Sequence, residues 1–283
     1  AMIRVENTPC GIPMNYSDVA LFTDLDGTLF NSDSKVSPEN MAAIAHFIAQ
    51  GGAFGISTGR APENAKMMLP DLPINTWSVV TNGAAAHLFS QDLTLVQNRL
   101  EQDIMLPLVN WVLQNLPQIN IMLCTNAGLL FLSPPALADQ AFWDSHQPMR
   151  ACTIADALPL EWMKFLFCAP RSLLEKLEQQ AKLLGIPEKA EMVYTNPEYL
   201  EFLPFHVNKG ACLQSLRTQP SLAGRRFIAI GDYYNDLELL RQADIAVAPA
   251  NALPEIKALA HHIVTSNDDH ALADLIYRVI PTL

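Results

Sequence analysis

Val19-Ala20-Leu21-Phe22-Thr23-Asp24-Leu25-Asp26-Gly27-Thr28 is the stretch from which the architecture is read. The apolar run Val19 to Phe22 reads as a strand buried on both faces, as in a parallel sheet. It ends at acids. Residues two apart on a strand face the same side, so Asp24 and Asp26 are expected to address one bound group. Such a pair can divide labour, one acid as nucleophile and one as proton donor. Gly27 permits a tight turn after the second acid. Taken alone, the same residues describe a strand closing in an Asp-Gly turn.

Downstream, a helix is signalled by Ser37 as N-cap and Pro38 at the first helical position. Met41, Ile44 and Ile48 fall on one face, and Gly51-Gly52 close it. A second apolar run, Ala53 to Ile56, ends at Ser57-Thr58-Gly59-Arg60. A helix from about Pro62 to Met68 follows. A third strand, Trp77 to Val80, ends at Thr81-Asn82-Gly83. Strands alternating with helices in this way predict a right-handed α/β sheet, Rossmann-like and parallel.

After Gly83 the rhythm changes. A hairpin is expected at 85–90 and 93–98, then a helix at 101–116 and strands at 119–124 and 129–132. A short helix near 136–145, a strand at 165–168, a helix at 171–184 and strands at 191–195 and 199–203 complete the section. Paired strands between helices suggest an α+β unit with an antiparallel sheet. The first rhythm returns with a helix at 209–216, a strand at 227–230 ending at Gly231-Asp232, a helix at 236–242 and a strand at 245–247. The expected organisation is one α/β domain, 1–83 plus 204–283, interrupted by a second domain inserted at 84–203. Inserted units often act as lids over a site at the strand ends.

Composition bounds the function. Of 283 residues, half are apolar and 17% charged, which excludes a disordered or collagen-like chain. The net charge of −11 disfavours nucleic acid as a partner. Five cysteines, odd in number and without a C-x-x-C, argue against a disulfide framework or zinc cluster. The opening residues lack a basic start and apolar run, so no signal peptide is expected. No run approaches the ~18 apolar residues of a membrane helix. A cytoplasmic protein is expected, with no membrane partner and an open oligomeric state.

The ends of parallel strands are where α/β sheets place their sites. Those ends carry Asp24 and Asp26, Thr58, Asn82, and Asp232, Asn235 and Asp236, with Lys209 opening a helix. Gly231-Asp232-Tyr233-Tyr234-Asn235-Asp236 offers carboxylates of the kind Mg²⁺ prefers, although acids at a helix start also suit its dipole. Thr58 and the free amides around Gly59 make a phosphate cradle, to which Arg60 can add a bidentate contact. The plainer reading there is a capped helix start, and for Lys209 a solvated lysine. Together the motifs are harder to dismiss. Clustered carboxylates repel unless a cation sits among them, and Mg²⁺ and Lys209 would supply that charge.

Asp24-Leu25-Asp26-Gly27-Thr28, Thr58, Lys209 and Gly231-Asp232-x-x-Asn235-Asp236 resemble the four motifs of the haloacid dehalogenase-like (HAD) hydrolases, and within them the Cof-type sugar-phosphatase branch. That branch carries a large α/β cap after the third core strand. The resemblance implies that Asp24 attacks phosphorus to form an aspartyl-phosphate and that Asp26 protonates the leaving oxygen, then activates water. It implies phosphate binding by Thr58, Gly59 and Lys209, with Arg60 and Asn82 near the substrate. Mg²⁺ would sit between Asp24, the backbone carbonyl of Asp26, and Asp232, supported by Asn235 and Asp236. The implied substrate is a small phosphorylated metabolite such as a sugar phosphate. A phosphomutase using the same intermediate and a non-catalytic phosphate-responsive regulator are the alternatives.

Some positions depart from the branch. Tyr233 and Tyr234 stand where smaller or polar residues are common, and Pro249-Ala250 replaces Met-Gly. The stretch before Val19 has no counterpart. His261-His262 reads as a solvated helix end, and His206 as structural. Trp111, Trp143 and Trp162 read as core or cap surface, and the cysteines as small buried hydrophobes.

Overall fold

The structure, a computed structural model, describes residues 15–96, 98–125, 127–133 and 149–283. The short helix expected near 136–145, Trp143 and Cys10 lie outside these residues. Among the described residues, no helix is long and apolar enough to cross a membrane.

A five-stranded sheet forms the first layer. Its order is His262–Val264, Ile245–Pro249, Arg226–Ile230, Val19–Thr23, Ala53–Ile56, and every pairing is parallel. The central strand explains itself. Val19 and Leu21 pack on one face with Ile44 and Phe47 of the helix Pro38–Ala49. Ala20 and Phe22 pack on the other with Leu213 and Leu216 of the helix Lys209–Leu216. A strand covered on both sides must be apolar at every position, hence a run without alternation. Ser37 caps the first helix, its hydroxyl accepting from Asn40 N at 3.2 Å. Ala43, Ile44 and Phe47 form its buried face, while Met41 and Ile48 lie at the margin.

Three expectations need correction. Ser78–Val80 is not a full member of the parallel sheet. It touches the sheet by a single parallel bridge, Ser57 to Val79, and pairs antiparallel with Ala85–Leu88. That strand and Leu93–Val96 form the expected hairpin, and the three make a small sheet of their own. His261-His262 is not a helix end. His261 N donates to Ala246 O at 2.8 Å and its Nδ1 accepts from Ala246 N at 2.9 Å, which starts the edge strand His262–Val264. The cysteines are not all buried: Cys212 is, whereas Cys124, Cys152 and Cys168 are partly exposed.

The second large sheet has six strands in the order Ala190–Asn196, Tyr199–Pro204, Trp162–Cys168, Asn120–Thr125, Gly128–Phe131, Arg150–Ala151. All neighbours are antiparallel except the last pair, which is parallel. Its apolar face, with Ile121, Phe165, Phe167 and Phe202, packs on the helices Gln102–Asn115 and Arg171–Leu183. Trp162 is fully buried there and its Nε1 donates to Ala157 O at 2.9 Å. Trp111 is partly buried against the same cluster.

Candidate active site

The parallel strands deliver their acids to one point. Val19–Thr23 ends just before Asp24, whose N–H still donates to Ile230 O across the sheet at 2.9 Å. Arg226–Ile230 ends just before Gly231-Asp232. Lys209 opens its helix behind an Asn208 N-cap, which accepts from Ala211 N at 2.8 Å. Lys209 is not a solvated lysine. It is 0% exposed, and its Nζ donates to Asp24 Oδ1 and to Asp236 Oδ1, each at 2.6 Å.

Asp24, Asp232 and Asp236 can each bring a carboxylate oxygen within 4.8 Å of the others. Their uses differ. Asp236 is fully engaged: Oδ1 takes Lys209, and Oδ2 accepts from Asp232 N at 3.0 Å and Tyr233 N at 3.2 Å. Asp232 Oδ1 accepts from Thr28 Oγ1 at 2.9 Å. Asp24 and Asp232 thus each keep a second carboxylate oxygen beyond these bonds, an all-oxygen donor set suited to a hard divalent cation.

Crowding shows in the acidities. Burial, then Asp236, push the Asp24 carboxyl well above the carboxylate range, with Lys209 opposing them. Burial and Asp236 push Asp232 up to about 7. Burial works against the Lys209 ammonium, but Asp236 and Asp24 outweigh it and hold its pKa above the ordinary lysine value. One lysine does not neutralise three carboxylates, and the remaining repulsion is what a cation bound there would relieve.

Two glycines make room for this cluster. Gly27 has φ +82°, and a Cβ there would overlap Asp232 Oδ2. A Cβ on Gly231 would overlap the Asp236 carboxylate as it folds back to bond Asp232 N and Tyr233 N. Asn251 holds the Gly27 turn in place, its Nδ2 donating to Gly27 O at 2.7 Å. Gly27→Ala is therefore expected to cost about 1–2 kcal/mol in backbone strain alone and to displace Asp232. Urea unfolding, with Mg²⁺-induced stabilisation measured alongside, checks both. A variant as stable and as responsive to Mg²⁺ as wild type would contradict the packing argument.

Asp26 does not share a strand face with Asp24. The strand has ended, and residues 25–29 form a wide turn closed by Phe30 N to Leu25 O at 2.8 Å. The Asp26 side chain, 57% exposed, instead meets Arg60, whose Nη2 donates to Oδ1 at 2.7 Å and Nε to Oδ2 at 3.0 Å. Arg60 also donates to Asn64 Oδ1 at 2.9 Å, so a side chain expected near substrate grips the second acid. Tyr199, on the second sheet, feels both; burial pushes its phenol up to about 12.

Thr58 is 1% exposed, its Oγ1 accepting from Arg60 N at 3.1 Å and its carbonyl accepting from Asn82 N at 3.0 Å. Asn82 Oδ1 accepts from Asn235 Nδ2 at 3.1 Å. The structure thus brings Asp24, Lys209, Asp232 and Asp236 into one cluster. It places Thr58, Gly59, Asn82 and Asn235 in an adjoining network, and Asp26 with Arg60 beside it. Tyr233 and Tyr234 lie edge to face, centroids 5.1 Å apart, with Tyr234 exposed. His206 is exposed, its ring tilted against that of Phe205 with centroids 3.9 Å apart. Sequence reasoning gave no role to Thr28 or Asn251. Thr28 belongs to the motif already quoted, but a hydroxyl two residues after an acid does not announce that its partner lies 204 residues away.

An Arabidopsis thaliana protein, Endoribonuclease YBEY, chloroplastic, is 25% identical over 269 residues, 91% of this chain but 46% of that protein. The chain spans about half the length of that relative. The 5-amino-6-(5-phospho-D-ribitylamino)uracil phosphatase YcsE of Bacillus subtilis is 25% identical over 258 residues, 89% of this chain and 92% of that one. Among solved structures, the HAD subclass IIB sugar phosphatase BT4131 superposes with TM-score 0.77 at 20% identity, covering 90% of this chain and 96% of that one. The sequence profile of the haloacid dehalogenase-like hydrolases matches residues 21–276, nearly the whole chain, and the chain belongs to that family.

Proposed function

We propose that the chain is a Mg²⁺-dependent phosphomonoester hydrolase acting on a small phosphorylated metabolite, a sugar phosphate or close analogue. The observation that carries the reading is the buried Lys209 bridging Asp24 and Asp236, with Asp232 beside them. Phosphoryl transfer needs positioning and charge neutralisation above all. This cluster supplies a carboxylate, a fixed ammonium and oxygen donors for a cation. The names of YcsE and BT4131, both phosphatases of small phosphorylated or sugar compounds, support the substrate class.

In this reading an Asp24 carboxylate oxygen forms a bond to phosphorus as the ester oxygen leaves. Once Arg60 releases it and it has taken a proton from solvent, Asp26 gives that proton to the leaving oxygen. Asp26 then takes a proton from water as the water attacks phosphorus, and the Asp24–phosphate bond breaks to release inorganic phosphate. Lys209 and Thr58, with the amides around Gly59, hold the phosphoryl oxygens. Asp24 and Asp232 with the backbone carbonyl of Asp26 would hold Mg²⁺, and Asp236 and Asn235 would steady that arrangement. Bound there, Mg²⁺ would lower the repulsion between a carboxylate nucleophile and a phosphate dianion. Residues 84–203 would act as the cap that excludes bulk water and large substrates. The test is phosphate release from a panel of sugar phosphates and p-nitrophenyl phosphate, with Mg²⁺ or EDTA. Release that is unaffected by EDTA would overturn the metal, and no release from any ester would overturn the activity.

The acid cluster also predicts how metal and pH act together. Asp232 has its pKa raised from 3.8 to about 7 on folding. The folded chain therefore holds a proton there that the unfolded chain has lost. Its contribution to stability is present below pH about 4 and is lost as pH rises towards 7. Asp232→Asn removes this dependence. In EDTA, the melting temperature of Asp232→Asn minus that of wild type is expected to grow between pH 5 and 8. Added Mg²⁺ should stabilise wild type more at pH 8 than at pH 5 and leave the variant nearly unmoved. A difference that stays flat with pH would contradict the charge-crowding argument.

A further inference from the structure

The face of the second sheet turned away from its helices carries a buried pair of opposite charges. Lys164 lies in Trp162–Cys168 and Glu201 in Tyr199–Pro204. The strands are adjacent and antiparallel with Glu201 opposite Leu166, so Lys164 and Glu201 are diagonal neighbours on that face. Their side chains are only 5% and 4% exposed, and Nζ lies 3.0 Å from Oε2. A buried ion pair is worth little unless its other valences are met. Here they are met by the first layer. Lys164 Nζ donates to Gly59 O at 2.8 Å, and Asn82 Nδ2 donates to Glu201 Oε2.

The Gly59 carbonyl and the Asn82 amide both belong to the loops beside the carboxylate cluster. Asn82 lies flat on Gly59, where a Cβ would come 2.9 Å from its Nδ2. The loops are stitched by Asn82 N to Thr58 O and Thr81 N to Arg60 O, both 3.0 Å. Thr81 and Asn82 both have φ +53°, a left-handed pair of non-glycine residues that needs external support. Asn82 passes that support on to Asn235.

We propose that Lys164 and Glu201 are positioning residues that seat the second sheet over the site and hold loops 58–60 and 81–83 in place beside the carboxylate cluster. Neither touches the reacting atoms; each acts through a backbone carbonyl or an amide side chain. For its chemistry the role rests on the phosphatase reading, while the seating itself does not.

The experiment is amide hydrogen exchange on the full chain, paired with steady-state kinetics, for Lys164→Met, Glu201→Gln and Lys164→Arg. Glu201→Gln is near-isosteric and guards against a misfolded Lys164→Met. In both charge-removing variants, exchange in 57–60 and 81–84 is expected to quicken about tenfold, with the strands 19–23 and 226–230 unchanged. Turnover should fall about 100-fold, chiefly in kcat, as loops shift relative to the cluster. Lys164→Arg should recover most of both. Unchanged loop exchange, or equal acceleration along the whole chain, overturns the proposal. If wild type hydrolyses no ester, the phosphatase reading fails, and the exchange pattern still decides the seating.

Discussion

Asp24→Asn is expected to lose about 10⁴-fold or more of turnover, the scale set by removing a nucleophile, while melting no lower than wild type in EDTA. The two halves of this result have one cause. Asp24 sits at the meeting point of the parallel strands, 6% exposed, with its Oδ1 on Lys209. An amide oxygen can accept that same bond, so geometry is kept. What goes is a negative charge that burial and Asp236 oppose more strongly than Lys209 favours. A group held under such strain in the resting protein destabilises it, and neutralising it relieves the fold as it removes the chemistry. Phosphate release on the best ester of the panel and a thermal melt in EDTA measure both. Turnover near that of wild type would remove Asp24 as nucleophile. A melt several degrees lower would show the carboxylate to be a structural anchor instead.

Much of this site was readable in the chain, for reasons that also mark where reading stopped. Val19–Phe22 announces a strand because two-sided burial leaves no polar position, and Asp24 stands out by ending it. Lys209 and Asp236 were placed in one site by motif order, but their contact depends on how Arg226–Ile230 and the helix at Lys209 lie in space. Asp26 was misplaced because a period-two argument was carried one residue beyond the strand, past the point where Gly27 turns the chain. Gly231 was silent because its reason is the room its missing Cβ leaves for Asp236. Ser78–Val80 looked like any parallel strand; only its partner, Ala85–Leu88, makes it an edge. Lys164 and Glu201 did leave a signal, each a single charge in a strand otherwise apolar, Trp162 to Phe167 and Leu200 to Leu203. Apolar patterning reveals that such a residue is odd, whereas its partners, Gly59 and Asn82, belong to another layer.

Removing the cation at the centre should do the opposite of removing Asp24. Lys209→Met keeps the length and most of the volume of a side chain that is 0% exposed. It leaves Asp24 and Asp236, each 2.6 Å from the lost ammonium, as buried carboxylates without a counter-charge. Breaking a buried pair in this way costs about 3–5 kcal/mol, which for a chain of this size corresponds to a melting temperature lower by roughly 10 °C. Acid should restore part of the loss, because protonating either carboxylate removes the repulsion. The sharper expectation is non-additive. Asp24→Asn combined with Lys209→Met has one carboxylate fewer to leave stranded, so the double variant should be more stable than the sum of the two single effects. Thermal melts of wild type, both singles and the double in EDTA, at pH 5 and pH 8, close the cycle. If the double variant lies at the sum of the singles at both pH values, Lys209 is not the charge that balances Asp24. If it lies above that sum, and more so at pH 8, then one buried lysine is what makes a cluster of three carboxylates tolerable inside this fold.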